Sequence, residues 1–165
     1  MTEESDHIWT EKDSKSANKI TGLMFIFVAG WITFLIVTLA PSCPTKPKTP
    51  EEYFKFGNHY AAEGDFIQAQ KYFTKAIKDK PDYTEAYYAR INAWEQTDSL
   101  QNVINDYTTL LSFPQLTVDK KGELLYLRGS AYYLSLKDTL ACNDWKLSRD
   151  LGYNKAYDRV RFKCK

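Results

Sequence analysis

The side chains best equipped for chemistry in this chain are scarce and scattered. Three cysteines occur, Cys43, Cys142 and Cys164, and two histidines, His7 and His59. A zinc centre wants Cys or His ligands in closely spaced pairs, and neither C-x-x-C nor a histidine cluster is found. Neither histidine belongs to a recognisable Ser or Cys nucleophile motif, and the chain has no Gly-rich phosphate loop, nucleophile elbow or H-E-x-x-H. The paired acids Glu51 and Glu52 open a helical stretch, where carboxylates complement the helix dipole and need no catalytic reason. No catalytic residue, metal or cofactor is expected, and the chain is not read as an enzyme.

The bulk properties agree with a non-catalytic helical protein. The 165 residues carry a formal charge of +1, which offers no electrostatic footprint for nucleic acid. Aromatics make up 15% of the chain while glycines number only 7, a balance that favours helices over loops.

Residues 20–40 contain no ionisable side chain. As a helix they would be about 30 Å long, the thickness of a hydrocarbon core. The preceding residues 1–19 form a polar tail with five acids against three lysines, unlike the short basic leader of a secretory signal. A retained transmembrane helix is therefore favoured over a cleaved lipoprotein signal acylated at Cys43, although Cys43 does follow small residues. Lys19 lies closer to the apolar stretch than any following lysine, which tips the orientation towards a cytoplasmic N-terminus. Residues 41–50 place Pro41, Pro44, Pro47 and Pro50 at three-residue spacing, the period of polyproline II. This linker would hold the next domain up to about 30 Å from the bilayer.

From Glu51 onward, apolar residues recur at helical spacing in blocks separated by short polar turns. The blocks are self-similar. Gly57, Tyr60, Ala69, Phe73 and Ala76 correspond to Ile91, Trp94, Val103, Tyr107 and Leu110, and then to Gly129, Tyr132, Ala141, Trp145 and Ser148. The first step is 34 residues and the second 38, so four extra residues lie within Phe113 to Lys121, read as a loop insertion. Small residues suit close helix crossings and the aromatics fill the gaps between them. Asp65, Asp98 or Ser99, and Asp138 stand where they would cap the second helix of each pair. One such hairpin cannot bury its own apolar face, but three stacked together can.

This pattern resembles the tetratricopeptide repeat. The resemblance implies an all-α helix-turn-helix solenoid of three repeats over residues 51–152 and a capping helix over 153–165, preceded by the transmembrane helix read above over residues 20–40. The second repeat departs from the signature at Ile91, Val103 and Leu110 and is identified by register. The stretch ACNDWKLSRDLGY in the third repeat resembles a variant common in small repeat proteins of Bacteroidota. The lysines and arginines of the capping helix are read as complements of its dipole.

Family geometry implies a groove lined by the first helix of each pair. It would carry Glu51, Phe54 and Asn58, then Glu85, Tyr88 and Asn92, then Glu123, Tyr126 and Ser130, with Tyr133 at the rim. An acid, an aromatic and a small polar group thus recur three times, a surface suited to a protein or peptide partner with basic character. Helix-start acids and surface tyrosines are also routine, so the set carries more weight than any member. Chaperone-binding relatives clamp a C-terminal carboxylate with Lys, Asn and Arg. Here only Asn58 fits that pattern; Phe54, Ala89, Glu123 and Leu127 occupy the other positions, and no such clamp is expected.

The repeat register also places Cys142 on the second helix of the third repeat and Cys164 on the cap beside it, so the two could pair. An exported domain is expected to hold that bridge and a cytoplasmic one is not. Pairing would leave Cys43 over, for lipidation or as a free thiol. The expected function is docking or scaffolding of a protein partner at a membrane, with the bilayer met through residues 20–40 and the repeats in a bacterial envelope. The alternatives are a lipid-anchored periplasmic assembly factor and a regulatory subunit of a membrane enzyme.

Overall fold

The computed structural model describes residues 47–164. The expected polar tail, the segment 20–40 and Cys43 lie outside them. Among the described residues no helix is long and apolar enough to cross a membrane. Seven helices follow one another: α1 (Pro50–Ala62), α2 (Phe66–Asp79), α3 (Thr84–Glu95), α4 (Leu100–Leu111), α5 (Val118–Leu134), α6 (Asp138–Asp150) and α7 (Lys155–Lys163). Each packs on its neighbours in sequence, and α1 also reaches α3. That quasi-one-dimensional pattern is the mark of a stacked-hairpin array.

Local signals set the helix ends. Thr49 and Glu52 form a reciprocal capping box at the start of α1, with Pro50 in the first helical position where a missing N–H costs nothing. Asp65 caps α2 by accepting from the Gln68 backbone N–H at 3.0 Å. The other two expected caps are not built that way. Ser99 precedes α4 but makes no capping bond, and Asp98 takes a left-handed φ of 52° in the turn. Lys137, not Asp138, flanks α6; Asp138 is the first helical residue, favoured there by the dipole alone.

The four extra residues between the second and third repeats are not a simple loop. Thr117 caps α5 through the Lys120 N–H at 3.3 Å, and helix already runs from Val118. Much of the insertion is an additional turn on the first helix of the third repeat. The capping helix is correspondingly shorter than residues 153–165, beginning at Lys155.

The core follows the register. Ala69, Phe73 and Ala76 on α2, Val103, Tyr107 and Leu110 on α4, and Ala141, Trp145 and Ser148 on α6 are all buried. Each set spans two turns at i, i+4 and i+7, which puts its members on one stripe facing the first helices. Gly57 and Gly129 are buried opposite the largest of these rings. A Cβ at Gly57 would collide with the Phe73 ring, and one at Gly129 would stand 2.8 Å from Trp145 Cδ1. Ile91 fills the equivalent site in the second repeat and shares a buried cluster with Tyr87, Tyr107 and Leu110. The buried Ser148 hydroxyl donates to the Gly122 carbonyl at 2.6 Å, so its polarity is satisfied inside the stack.

Cys142 and Cys164 form a disulfide that ties α7 to α6. A contact of 3.7 Å between Cys142 Sγ and the Lys163 carbonyl is van der Waals only, since a bridged sulfur carries no proton. The bridge closes a loop of 22 residues, a constraint that removes about 3 kcal/mol of unfolded-chain entropy. Cys164→Ser is expected to lower stability by about that amount in denaturant melts, with amide exchange in α7 accelerating first. A stability unchanged by Cys164→Ser or by reductant would contradict this.

Candidate functional site

The three rungs inferred from the repeat register occupy one face of the first helices α1, α3 and α5, and the structure treats them differently. Among the acids, Glu51 and Glu85 are exposed and Glu123 is half-buried. Glu51 lies 3.6 Å from Lys80, and Glu123 accepts from Lys120 Nζ at 2.7 Å. Among the polar groups, Asn58 and Asn92 are exposed, whereas the Ser130 hydroxyl donates back to the Tyr126 carbonyl within its own helix at 3.0 Å. Among the described residues, Asn58, Glu85 and Asn92 therefore present groups without a hydrogen-bond partner.

The aromatic rung sits lower, at the seams between repeats. The Phe54 ring meets Tyr83 at 5.2 Å, and Tyr126 meets Tyr153 at 5.3 Å. Tyr88 holds the middle seam, with Lys120 Nζ 5.3 Å above its ring. Phe54 and Tyr126 thus contact residues that lead into the next helix, and Tyr88 contacts the first turn of α5. Tyr133 lies between Trp145, at 5.6 Å, and the Lys163 ammonium, at 5.2 Å.

The electrostatics concentrate at the middle of this face. The buried Tyr88 hydroxyl makes no hydrogen bond of good geometry. Burial raises its pKa, and the nearby Lys120 ammonium opposes that rise. Lys120 is itself held above its usual range, chiefly by its bond to Glu123. Glu95 reaches solvent, yet the protein crowding its carboxylate raises its pKa. Burial, reinforced by Glu95, Tyr88 and Glu123, keeps the Tyr107 phenol un-ionised. These groups share one environment at the junction of α3, α4 and α5. A cleft of about 450 Å³ continues from Glu123 past Lys120 and Asp119 to Tyr153 and Lys155. The added turn of α5 forms one of its walls.

One repeating device was missed by sequence reasoning. Arg90 makes a bidentate pair with Asp106, through Nε at 2.9 Å and Nη2 at 2.7 Å, while Nη1 donates to Thr74 at 3.0 Å. Arg128 does the same with Asp144, at 2.8 Å through both nitrogens, and reaches Thr108 at 3.1 Å. Each arginine joins both helices of its own repeat to the second helix of the repeat before. Hydrogen bonding to Asp144 raises the Arg128 pKa further, so the guanidinium stays charged. In the first repeat, with no described repeat before it, the same two registers hold Phe56 and Tyr72, whose rings lie 5.6 Å apart. The signal was available: Arg90 to Arg128 and Asp106 to Asp144 are each 38 residues apart, the spacing of the apolar markers.

Helical hairpins in this order, with small residues at the crossings and seams stitched between repeats, define the tetratricopeptide-repeat fold. Solved structures agree. The N-terminal domain of stress-induced protein-1 (STI-1) from C. elegans superimposes with a TM-score of 0.63 at 14% identity, over 70% of this chain and 94% of that domain. The first TPR of Spaghetti (RPAP3), solved bound to the HSP90 peptide SRMEEVD, gives a TM-score of 0.55 at 18% identity, over 68% of this chain and 88% of that one. No family model and no curated protein matches the chain.

Proposed function

We propose that this protein is a membrane-anchored docking module that receives a protein or peptide segment on the exposed face of α1, α3 and α5. The observation that carries the reading is the repeat fold itself, with Asn58, Glu85 and Asn92 exposed in register and without hydrogen bonds among the described residues. Exposed amides pair with an extended backbone, and the acids favour a partner with basic side chains or a free amino terminus. The absence of lysine or arginine at Phe54, Ala89, Glu123 and Leu127 argues against an acidic C-terminal peptide of the kind held by the RPAP3 domain.

Residues 20–40 would supply the anchor and the proline-spaced linker the stand-off. The Cys142–Cys164 disulfide supports an oxidising compartment, hence repeats on the outer side of the membrane in a bacterial envelope. Pairing of these two cysteines also leaves Cys43 without a described partner, which supports a second reading in which Cys43 is acylated and residues 1–42 are removed. Intact mass distinguishes the two.

A photo-crosslinking residue placed at Asn92 in the full chain is expected to capture a partner in cells, while one at Asn102 on α4 is not. Adding Glu85→Lys should abolish the Asn92 adduct without moving the melting temperature, since Glu85 is exposed. Equal capture from both positions would remove the groove from the account.

A further inference from the structure

A second cleft, of about 440 Å³, opens between α2, α3 and α4 and is lined by Thr74, Arg90, Trp94, Asn102, Asn105 and Asp106. It shares no residue with the face proposed above to receive a protein. Its volume falls within the ~300–1,000 Å³ of small-ligand sites. Thr74, Arg90 and Asp106 belong to the arginine stitch and recur in the next one as Thr108, Arg128 and Asp144. Trp94, Asn102 and Asn105 take no part in the stitch. One repeat on, the registers of Trp94 and Asn102 hold Tyr132 and Leu140, so stacking requires neither. There the Arg128 guanidinium lies 5.8 Å over the Tyr132 ring, whereas Arg90 lies 5.4 Å over Tyr87. Among the described residues, no cation lies over the Trp94 ring.

The hydrogen bonding left in this cleft is one-sided. Asp106 gives both carboxylate oxygens to Arg90, and Asn105 Oδ1 accepts from Gln101 Nε2 at 3.1 Å. What remains is mostly donors. Among the described residues, the Trp94 indole N–H and the amide nitrogens of Asn102 and Asn105 have no hydrogen-bond partner, and neither have two of the five Arg90 N–H groups. Trp145, by contrast, gives its indole N–H to the Tyr126 carbonyl. Charge is balanced, because Arg90 and Asp106 pair with each other at 13% and 8% exposure. We propose that this cleft binds a neutral saccharide, a pyranose that carries an acetamido group. The C–H face of a pyranose packs flat on an indole ring, and its hydroxyls direct hydrogen bonds outward to groups on all three helices. The acetamido carbonyl is a strong uncharged acceptor, the group that a donor-rich and electrically neutral cleft calls for.

Other occupants fit less well. An anion would face the Asp106 carboxylate, and the one cation in the cleft is already neutralised. A nucleotide could stack on Trp94, but its phosphates would meet no free cation among the lining residues. An extended peptide presents donors and acceptors in alternation, whereas the cleft is short of acceptors to answer its N–H groups. A saccharide in an open cleft keeps part of its surface in water and is held by one ring and a few neutral hydrogen bonds. Such a site supports a Kd of about 1 mM for a single copy.

The test titrates the full chain, in detergent and with its disulfide intact, with N,N′-diacetylchitobiose. The indole N–H resonance of Trp94, identified by its loss in Trp94→Phe, is followed by NMR. A saturable shift with a Kd of about 1 mM is expected. Cellobiose has the same linkage without the acetamido groups and should bind about tenfold more weakly, the worth of one lost hydrogen bond. Asn102→Leu, which copies the third repeat, and Asn105→Ala both change exposed side chains. Each should keep the melting temperature and weaken chitobiose binding about tenfold. Three results would each overturn the proposal: no Trp94 shift with chitobiose, cellobiose binding as tightly, or binding unchanged in both variants. A tighter response to adenosine or to inorganic phosphate would also overturn it, and would assign the cleft to a base or an anion.

Discussion

Arg128→Ala should lower the unfolding free energy by about 3–5 kcal/mol, the range expected when one member of a buried ion pair is removed and its partner stays charged. The side chains of Arg128 and Asp144 are only 18% and 6% exposed, so solvent does little to screen the loss. Alanine would strand both carboxylate oxygens of Asp144 on α6, while the exposed Thr108 hydroxyl on α4 keeps its bond to the Ile104 carbonyl. The effect is one of isolation more than of lost attraction, and that distinction can be measured. Arg128→Met combined with Asp144→Leu removes both charges and fills similar space, so it should recover most of the loss. Urea melts of the two single variants and the double variant complete the cycle. A loss below about 1 kcal/mol for Arg128→Ala would place this pair with exposed salt bridges, which stabilise little.

Trp145→Ala is expected to cost about 3–5 kcal/mol as well, by a different route. Trp145 is completely buried and is the largest such side chain in the described stack. Its ring lies on Gly129, its Nε1 donates to the Tyr126 carbonyl at 3.2 Å, and the Arg159 guanidinium of α7 stands 5.6 Å from its centre. Removing it leaves a cavity at the crossing of α5 and α6, takes one of its donors from the Tyr126 carbonyl, and takes away the surface on which Arg159 rests. Trp145→Phe should lose less, because it fills part of the cavity. The two substitutions can be compared by denaturant midpoint and by amide exchange in α7. Exchange in α7 unaltered by Trp145→Ala would mean that the cap is held by the disulfide alone.

The elements that repeat were the most legible part of this chain. Phe73, Tyr107 and Trp145 stand at one register, and burial at that register follows from stacking in all three repeats. What repeated weakly was harder to read. Whether Ser99 or Asp98 caps α4 depends on a backbone turn through φ 52°, which no spacing reveals. The four extra residues look like a loop by length, yet Thr117 is a competent cap and converts their second half into helix. The arginine stitches recur with the right period but pair residues 16 apart on different helices, so their meaning appears only once the hairpin is closed. On the shared face of the first helices, the exposure of the acid and amide positions at Glu51, Glu85, Asn58 and Asn92 was legible from register. The seam role of Phe54, Tyr88 and Tyr126 was not, because it depends on the residues that enter the next helix.

The arginine stitches and the disulfide also give the stack a direction under load. Both stitches join a repeat to the one before it, and the bridge fastens the last helix, so the C-terminal end is the better secured. The first repeat has aromatic packing where the others have an ion pair. A pull entering through Pro47 therefore meets first α1, the helix that neither stitch nor the bridge reaches. Shearing α1 from α2 would break neither an arginine stitch nor the disulfide, whereas parting any later pair of neighbouring helices breaks one of them.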